Sequence, residues 1–137
     1  MSFTLHPRLE AGTHLLGIRD NCLVLLKNNA TFPWLLIVPQ VDEAIEDLHQ
    51  LSPQHYGETC FLIRSVSQFV SGYFLPEKLN VACLGNVVRQ MHIHVVGRSE
   101  TDPAWPGTVW ASDDKSDYSD ERIAEIRHAA RTYLGLS

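Results

Sequence analysis

The stretch Gln90-Met91-His92-Ile93-His94-Val95-Val96-Gly97-Arg98 sets the reading of the whole chain. Successive side chains of a β-strand point to opposite faces. Gln90, His92 and His94 therefore share one face, while Met91, Ile93 and Val95 share the other, which is apolar enough to be core. Two imidazoles and an amide in a row make a candidate site without help from any other part of the fold. Three readings are open to such a row. It is a solvated strand face, a metal site in which two imidazoles chelate one ion, or a site of nucleophilic catalysis by histidine. The metal reading needs a third ligand. No motif supplies one, and His6, His14, His49, His55 and His128 are scattered singly along the chain.

Outward from this strand, Leu79 to Leu84 reads as its neighbour, with Gly85-Asn86 as the turn signal between the two. Further upstream, Cys22 to Leu26 and Pro33 to Val38 form two apolar runs separated by the turn-forming Asn28-Asn29-Ala30-Thr31, which predicts a hairpin. Asp42 to Gln50 reads as a short helix. Ser52 is a natural N-cap with Pro53 in the first helical position. Tyr56, Cys60, Ile63, Val66 or Ser67, Val70 and Phe74 then recur at helical spacing as a core-facing stripe, ending near Gly72 and Pro76. After the histidine strand, Glu100 to Tyr118 is rich in Pro, Gly, Asp and Trp and is expected to be irregular. Ser119 caps a last helix, with Asp120 and Glu121 in its first turn and Ile123, Ile126, Ala130 and Tyr133 as its stripe. Strand pair, helix, strand pair, helix is the order of an α+β fold: an antiparallel sheet of about five strands carrying one long helix and a C-terminal helix.

The bulk properties fit one domain over residues 1–137. The chain is 45% hydrophobic and 20% charged, a globular composition. A net charge of −5 disfavours binding nucleic acid through the overall field, yet leaves a small nucleotide within reach of a few local donors. Cys22, Cys60 and Cys83 are odd in number and lie in apolar runs, so they read as buried, reduced thiols. No signal peptide or membrane-spanning run is apparent, which predicts a cytoplasmic protein with no membrane partner.

The segment around His92 resembles the signature of the histidine-triad (HIT) superfamily, His-φ-His-φ-His-φ-φ with φ apolar, aligned so that Gln90 stands at the first histidine. Gly85-Asn86-Val87-Val88-Arg89 resembles the family's lead-in, with Asn86 at its phosphate-binding amide, and Pro33 to Pro39 resembles the preceding family strand. Together these cover roughly Cys22 to Arg98. Two departures stand out: Gln90 replaces a histidine, and Val87 replaces a Ser or Thr whose hydroxyl contacts phosphate. Gln90 cannot titrate near neutral pH, so a proton relay through that position is lost, although its amide can still hold a neighbour in place. The resemblance is to a bacterial HIT-like variant related to diadenosine-polyphosphate hydrolases.

The resemblance implies a nucleotide hydrolase or nucleotidyl transferase that works through a nucleotidyl-histidine intermediate. It casts His92, His94 and Gln90 as the catalytic row and His92 as the nucleophile. Asn86, Asn80 and Gly85 would hold nucleotide and phosphate, with Leu23 and Asn28 on a sugar- and base-binding hairpin. It further implies no metal or other cofactor, and a homodimer with a continuous sheet. Arg89 and Arg98 are within sequence reach of a phosphate, and Trp105 and Trp110 divide evenly between packing and a lid. The two departures keep a non-catalytic nucleotide-binding protein on the same fold as the alternative.

Overall fold

The computed structural model describes residues 2–137. The elements run α1 (Pro7–Ala11), β1 (Thr13–Arg19), β2 (Cys22–Lys27), β3 (Trp34–Pro39), α2 (Pro53–Phe74), β4 (Lys78–Cys83), β5 (Ile93–Arg98) and α3 (Asp120–Leu134). The strands form one antiparallel sheet in the order β1-β2-β3-β5-β4. The expected α+β architecture of five strands, a long helix and a C-terminal helix is the one observed. The first strand and the short α1 had no sequence signal of their own. They are joined to the expected elements through Asp20 and Asn21, whose φ values of 51° and 65° form the two-residue hairpin between Arg19 and Cys22. Asp and Asn tolerate this left-handed backbone better than most residues.

Strands β2 and β3 are continuous apolar runs because both faces of the sheet centre are covered. On one face, Val24, Leu26, Leu35, Ile37, Ile93 and Val95 pack against Leu62, Val66 and Val70 of α2 and Ile126 and Ala130 of α3. On the other, Leu23, Leu25, Trp34, Leu36, Val38 and Val96 pack beneath Leu9 and Val109. Full burial of each such aliphatic side chain contributes about 1.5–3 kcal/mol. The histidine row lies on this second face, where α1 and the segment after β5 close over it.

Both long helices start where the sequence places them. The Ser52 hydroxyl accepts from the His55 N–H at 3.1 Å, and the Ser119 hydroxyl accepts from the Arg122 N–H at 3.1 Å. Several details differ from expectation. The buried stripe of α2 is Thr59, Leu62, Val66, Phe69 and Val70, while Tyr56 is exposed and Cys60 and Ile63 are half-buried. The helix carries apolar residues on more than one side, and contact with the sheet fixes its phase about one residue from the expected stripe. Tyr133 is likewise exposed, with Leu134 buried instead. Residues 42–50 contain turns and a single 3-10 turn at Leu48–Gln50 rather than an α-helix. All three cysteines are free, yet only Cys22 is buried and Cys83 is exposed on the edge strand β4. Among the described residues, no helix is long and apolar enough to cross a membrane.

Arg98, at the end of β5, is 2% exposed and fully engaged. Its Nε and Nη2 donate to both oxygens of Asp102, at 2.8 and 3.0 Å, and Nη1 donates to Asn80 Oδ1 at 2.8 Å. Phe32 and Trp105 flank the guanidinium. This pairing fastens β4 and the loop after β5 to the sheet, and it holds the Asp102 carboxyl at about 2, chiefly through the Arg98 hydrogen bond. Removing one member of a buried pair strands the other charge. Arg98→Ala should therefore lower the unfolding free energy by about 3 kcal/mol in urea titrations. A loss below about 1 kcal/mol would show that the pair is not a structural fastener.

Candidate active site

His92 immediately precedes β5 and His94 lies within it, and both are 6% exposed. Their rings stand 4.8 Å apart, centroid to centroid, with their planes inclined at 66°. Each has a defined hydrogen-bonding state. His92 Nδ1 lies 2.7 Å from the backbone carbonyl of Gln90. A carbonyl only accepts, so Nδ1 carries the proton and Nε2 keeps a free lone pair. For His94 the order is reversed. Trp34 Nε1–H donates to His94 Nδ1 at 3.0 Å, which leaves the proton on Nε2, 3.3 Å from the Leu84 carbonyl.

Burial also keeps both rings neutral. It holds His92 below its ordinary value of 6.5 and outweighs the Gln90 carbonyl, which favours protonation; Lys27 adds a smaller downward push. His94 is lowered to about 4, first by burial and then by the neighbouring His92. Near neutral pH the pair therefore presents one uncharged imidazole with an available Nε2, braced by a second.

The histidines floor a cavity of about 420 Å³. Leu9, Leu36, Leu84, Val88 and Trp110 give it an apolar wall, and Arg8, Lys27, Thr13 and Asn86 supply polar groups. Trp110 packs edge-on against Trp34 at 6.2 Å and His94 at 5.2 Å, which makes it a wall of the cavity. Gly85 and Asn86 stand where this cavity meets a second, polar one of about 230 Å³ lined by Glu46, Asp47 and Arg89. The turn at Gly85 is tight: a Cβ there would lie 2.8 Å from the Val88 carbonyl oxygen and 3.7 Å from His92 Cε1. Only glycine lets the turn fold this close to the Val88 carbonyl without displacement.

The structure sorts the expected site residues into two groups. His92, His94, Gly85 and Asn86 meet at the cavity. Gln90 does not line it. Its Oε1 accepts from the His6 N–H at 2.8 Å and its Nε2 donates to the Thr4 carbonyl at 2.9 Å. The side chain thus clasps the N-terminal segment that leads into α1, and only its backbone carbonyl touches the imidazole pair. Asn80 lies on the same face of the sheet, opposite Val96 and outside the cavity, with its oxygen taken by Arg98. Leu23 is buried in the sheet's second face without reaching the cavity.

Asn28 is occupied elsewhere too, donating to Asp117 Oδ1 and accepting from the Tyr118 N–H. With the buried Asn29, which binds Asp114 and Ser116, it fastens the segment after Trp110. Arg98 is internal, Trp105 covers it, and Arg89 is an exposed partner of Glu46 at 3.0 Å. Arg8, Leu9, Thr13, Lys27 and the Trp34 indole escaped the sequence reading as groups of the site. Lys27 alone had a signal, since it continues the face of Leu23 and Leu25 along β2. Among the described residues, no three His, Cys, Asp or Glu side chains gather as a metal-ligand set. His94 uses both ring nitrogens within the protein, so chelation by the pair would first have to break those bonds.

Residues 8–101 match the HIT domain family, so the chain belongs to that family. It is similar over nearly its whole length to three solved bacterial structures. A histidine triad protein from Marinobacter aquaeolei is 38% identical, covering 98% of both chains with a TM-score of 0.92. A histidine triad (HIT) protein from Sinorhizobium meliloti is 33% identical over 97% of this chain and 98% of that one, also at 0.92. A histidine triad protein from Bradyrhizobium japonicum is 29% identical over 98% and 99%, with a TM-score of 0.93. No curated protein sequence matches the chain.

A ring kept neutral by burial adds stability that is complete above the unfolded value near 6.5 and is lost as pH falls through the folded one. Nuclear magnetic resonance titration should place His94 near 4 and His92 below 6.5. Stability should fall between pH 6.5 and 4, by at most ~1.4 kcal/mol per pH unit for each ring. If His94 titrates at or above 6.5, the assigned Trp34–His94 arrangement is wrong.

Proposed function

We propose that the protein is a nucleotide hydrolase acting at the α-phosphorus of nucleoside polyphosphate or phosphoramidate derivatives, with His92 as nucleophile. The observation that carries this reading is the protonation state of His92. Its Nδ1–H is committed to the Gln90 carbonyl at 2.7 Å, and burial disfavours the cationic ring. An imidazole in that state attacks through Nε2, and Nδ1–H···O=C spreads the charge that develops on the ring.

The steps balance as follows. Nε2 forms a bond to phosphorus as the bond from phosphorus to the leaving oxygen or nitrogen breaks. The leaving group takes a proton from solvent or an assisting donor. Water then attacks phosphorus and breaks the P–N bond. The nucleoside monophosphate departs, the proton from that water is released, and His92 is regenerated. Asn86 and backbone N–H groups of the Gly85 turn oppose charge building on the phosphoryl oxygens. The long 3.3 Å contact of His94 Nε2 with Leu84 is weak enough to be traded for a phosphate oxygen or the leaving group. Gln90 takes no proton in this scheme; its carbonyl orients His92 and its amide secures the N-terminal segment. β4 forms one edge of the sheet, with Val81 45% exposed, which suits the two-fold dimer expected of the chain.

His92→Asn should reduce nucleoside monophosphate release at least ~10³-fold across a panel of adenylated and guanylated substrates, leaving nucleotide affinity within a few-fold. His94→Ala should lower the rate less. The acid limb of kcat/KM should lie below pH 6.5, since burial lowers the value at which His92 loses its proton. Turnover by His92→Asn at the wild-type rate would exclude His92 as nucleophile. Tight nucleotide binding with no product from any substrate would favour the non-catalytic alternative.

A further inference from the structure

We propose that Trp34 is a positioning residue that confines His94 to donating a hydrogen bond. The second imidazole then stabilises the phosphoryl group without giving up a proton of its own. The proposal rests on the nucleotide reading of the site and names the part that His94 takes in it.

The geometry carries it. An imidazole that gives up a proton as an acid must first be a cation, with hydrogens on both nitrogens. His94 has no room for the second hydrogen. Its Nδ1 accepts from Trp34 Nε1–H at 3.0 Å, and an indole nitrogen can only donate. A cationic ring would set two N–H groups against each other in a buried contact. The indole is also held in place: Trp34 is 6% exposed, pairs with Val96 across the sheet, and is flanked edge-on by Phe32 and Trp110. Loss of the Nε2 hydrogen from the neutral ring would leave an anion among apolar groups, which is costlier still.

The charges around the ring act in the same direction. Lys27 at the end of β2 stands 5.6 Å from the Trp34 ring centroid, His92 lies beside His94, and Arg8 of α1 lines the same cavity. Among the described residues, no Asp or Glu lines it. β3, β4 and the loop after β5 bring only the uncharged Leu36, Ala82 and Trp110 to the ring. A cation facing an indole draws electron density from it, and hydrogen bonds in series polarise one another. Lys27, Trp34 and His94 form such a series, which ends on His94 Nε2–H and makes it a stronger donor to a phosphoryl oxygen. As Nε2 of His92 bonds to phosphorus, the His92 ring becomes cationic and opposes a second positive charge on His94. Nε2–H therefore stays on His94 throughout, and the proton that the leaving group takes is not His94's.

The test is nuclear magnetic resonance of isotope-labelled histidines in the wild type and in Trp34→Phe, with kinetics on both. Wild-type His94 should show the Nε2–H tautomer, with no more than about a tenth of it cationic at pH 5. Added AMP should shift Nε2–H and leave Nδ1 unprotonated. Trp34→Phe should populate the Nδ1–H tautomer and move the His94 titration up by about one pH unit, the worth of one neutral hydrogen bond. Its kcat on an adenylated aryl phosphate should fall about tenfold, with KM changed less than about threefold. Melting curves verify that the variant folds, and the wild-type spectra decide the matter if it does not. A wild-type Nδ1–H tautomer, or bound AMP that leaves Nε2–H unmoved, would overturn the proposal. So would an unchanged kcat in a folded Trp34→Phe protein whose His94 tautomer has shifted. The expected tautomer and AMP response without turnover of any substrate would uphold the donor and remove the hydrolase reading.

Discussion

The hydrogen bond from His92 Nδ1 to the Gln90 carbonyl, 2.7 Å long, is the interaction on which the rest of the site depends. It fixes which nitrogen bears the proton and therefore which one faces the cavity. The same residue reaches in the other direction through its amide, binding Thr4 and His6 and closing the N-terminal segment over the sheet. One residue thus orients the imidazole and secures a wall of the cavity that the imidazole serves. The first task falls to the backbone carbonyl, while a titratable side chain at position 90 would perform the second only in some protonation states. The glutamine amide accepts from His6 and donates to Thr4 at every pH.

The sheet supplies the remaining constraint. β5 lies between β3 and β4, and the pairing of Leu36 with His94 places that ring beside Trp34, whose indole fixes the tautomer. The two faces divide the work. Ile93 and Val95 join the core beneath α2 and α3, and their neighbours His92 and His94 floor the cavity. A one-residue slip of β5 would exchange these roles and bury the imidazoles in the core, so the same packing that stabilises the sheet specifies the site.

Much of this was legible because it is local. Alternation along residues 90–98 placed the histidines on one face, and Ser52-Pro53 and Ser119 marked the helix starts through short-range capping. The Gly85 turn was legible from residue type, and its tightness appears only once the Val88 carbonyl is seen folded against it. What escaped is what depends on closure of the chain. Arg8 lies in α1 and Lys27 at the end of β2, and the two line one cavity only when the intervening β1 folds back. Asn80 and Asn28 have residue types suited to a ligand, yet a buried arginine and a surface loop claim them. The phase of α2 was misread for a related reason: apolar residues on several sides leave the choice of face to the sheet.

The central claim is that a neutral His92 attacks phosphorus through Nε2. It is tested most directly by trapping the intermediate: brief mixing with adenylated and guanylated substrates, a mildly alkaline quench, digestion and mass spectrometry. The account predicts a nucleotidyl adduct on the peptide carrying His92, absent from the His92→Asn protein. Product formation with no adduct, or an adduct mapped to another residue, would contradict it.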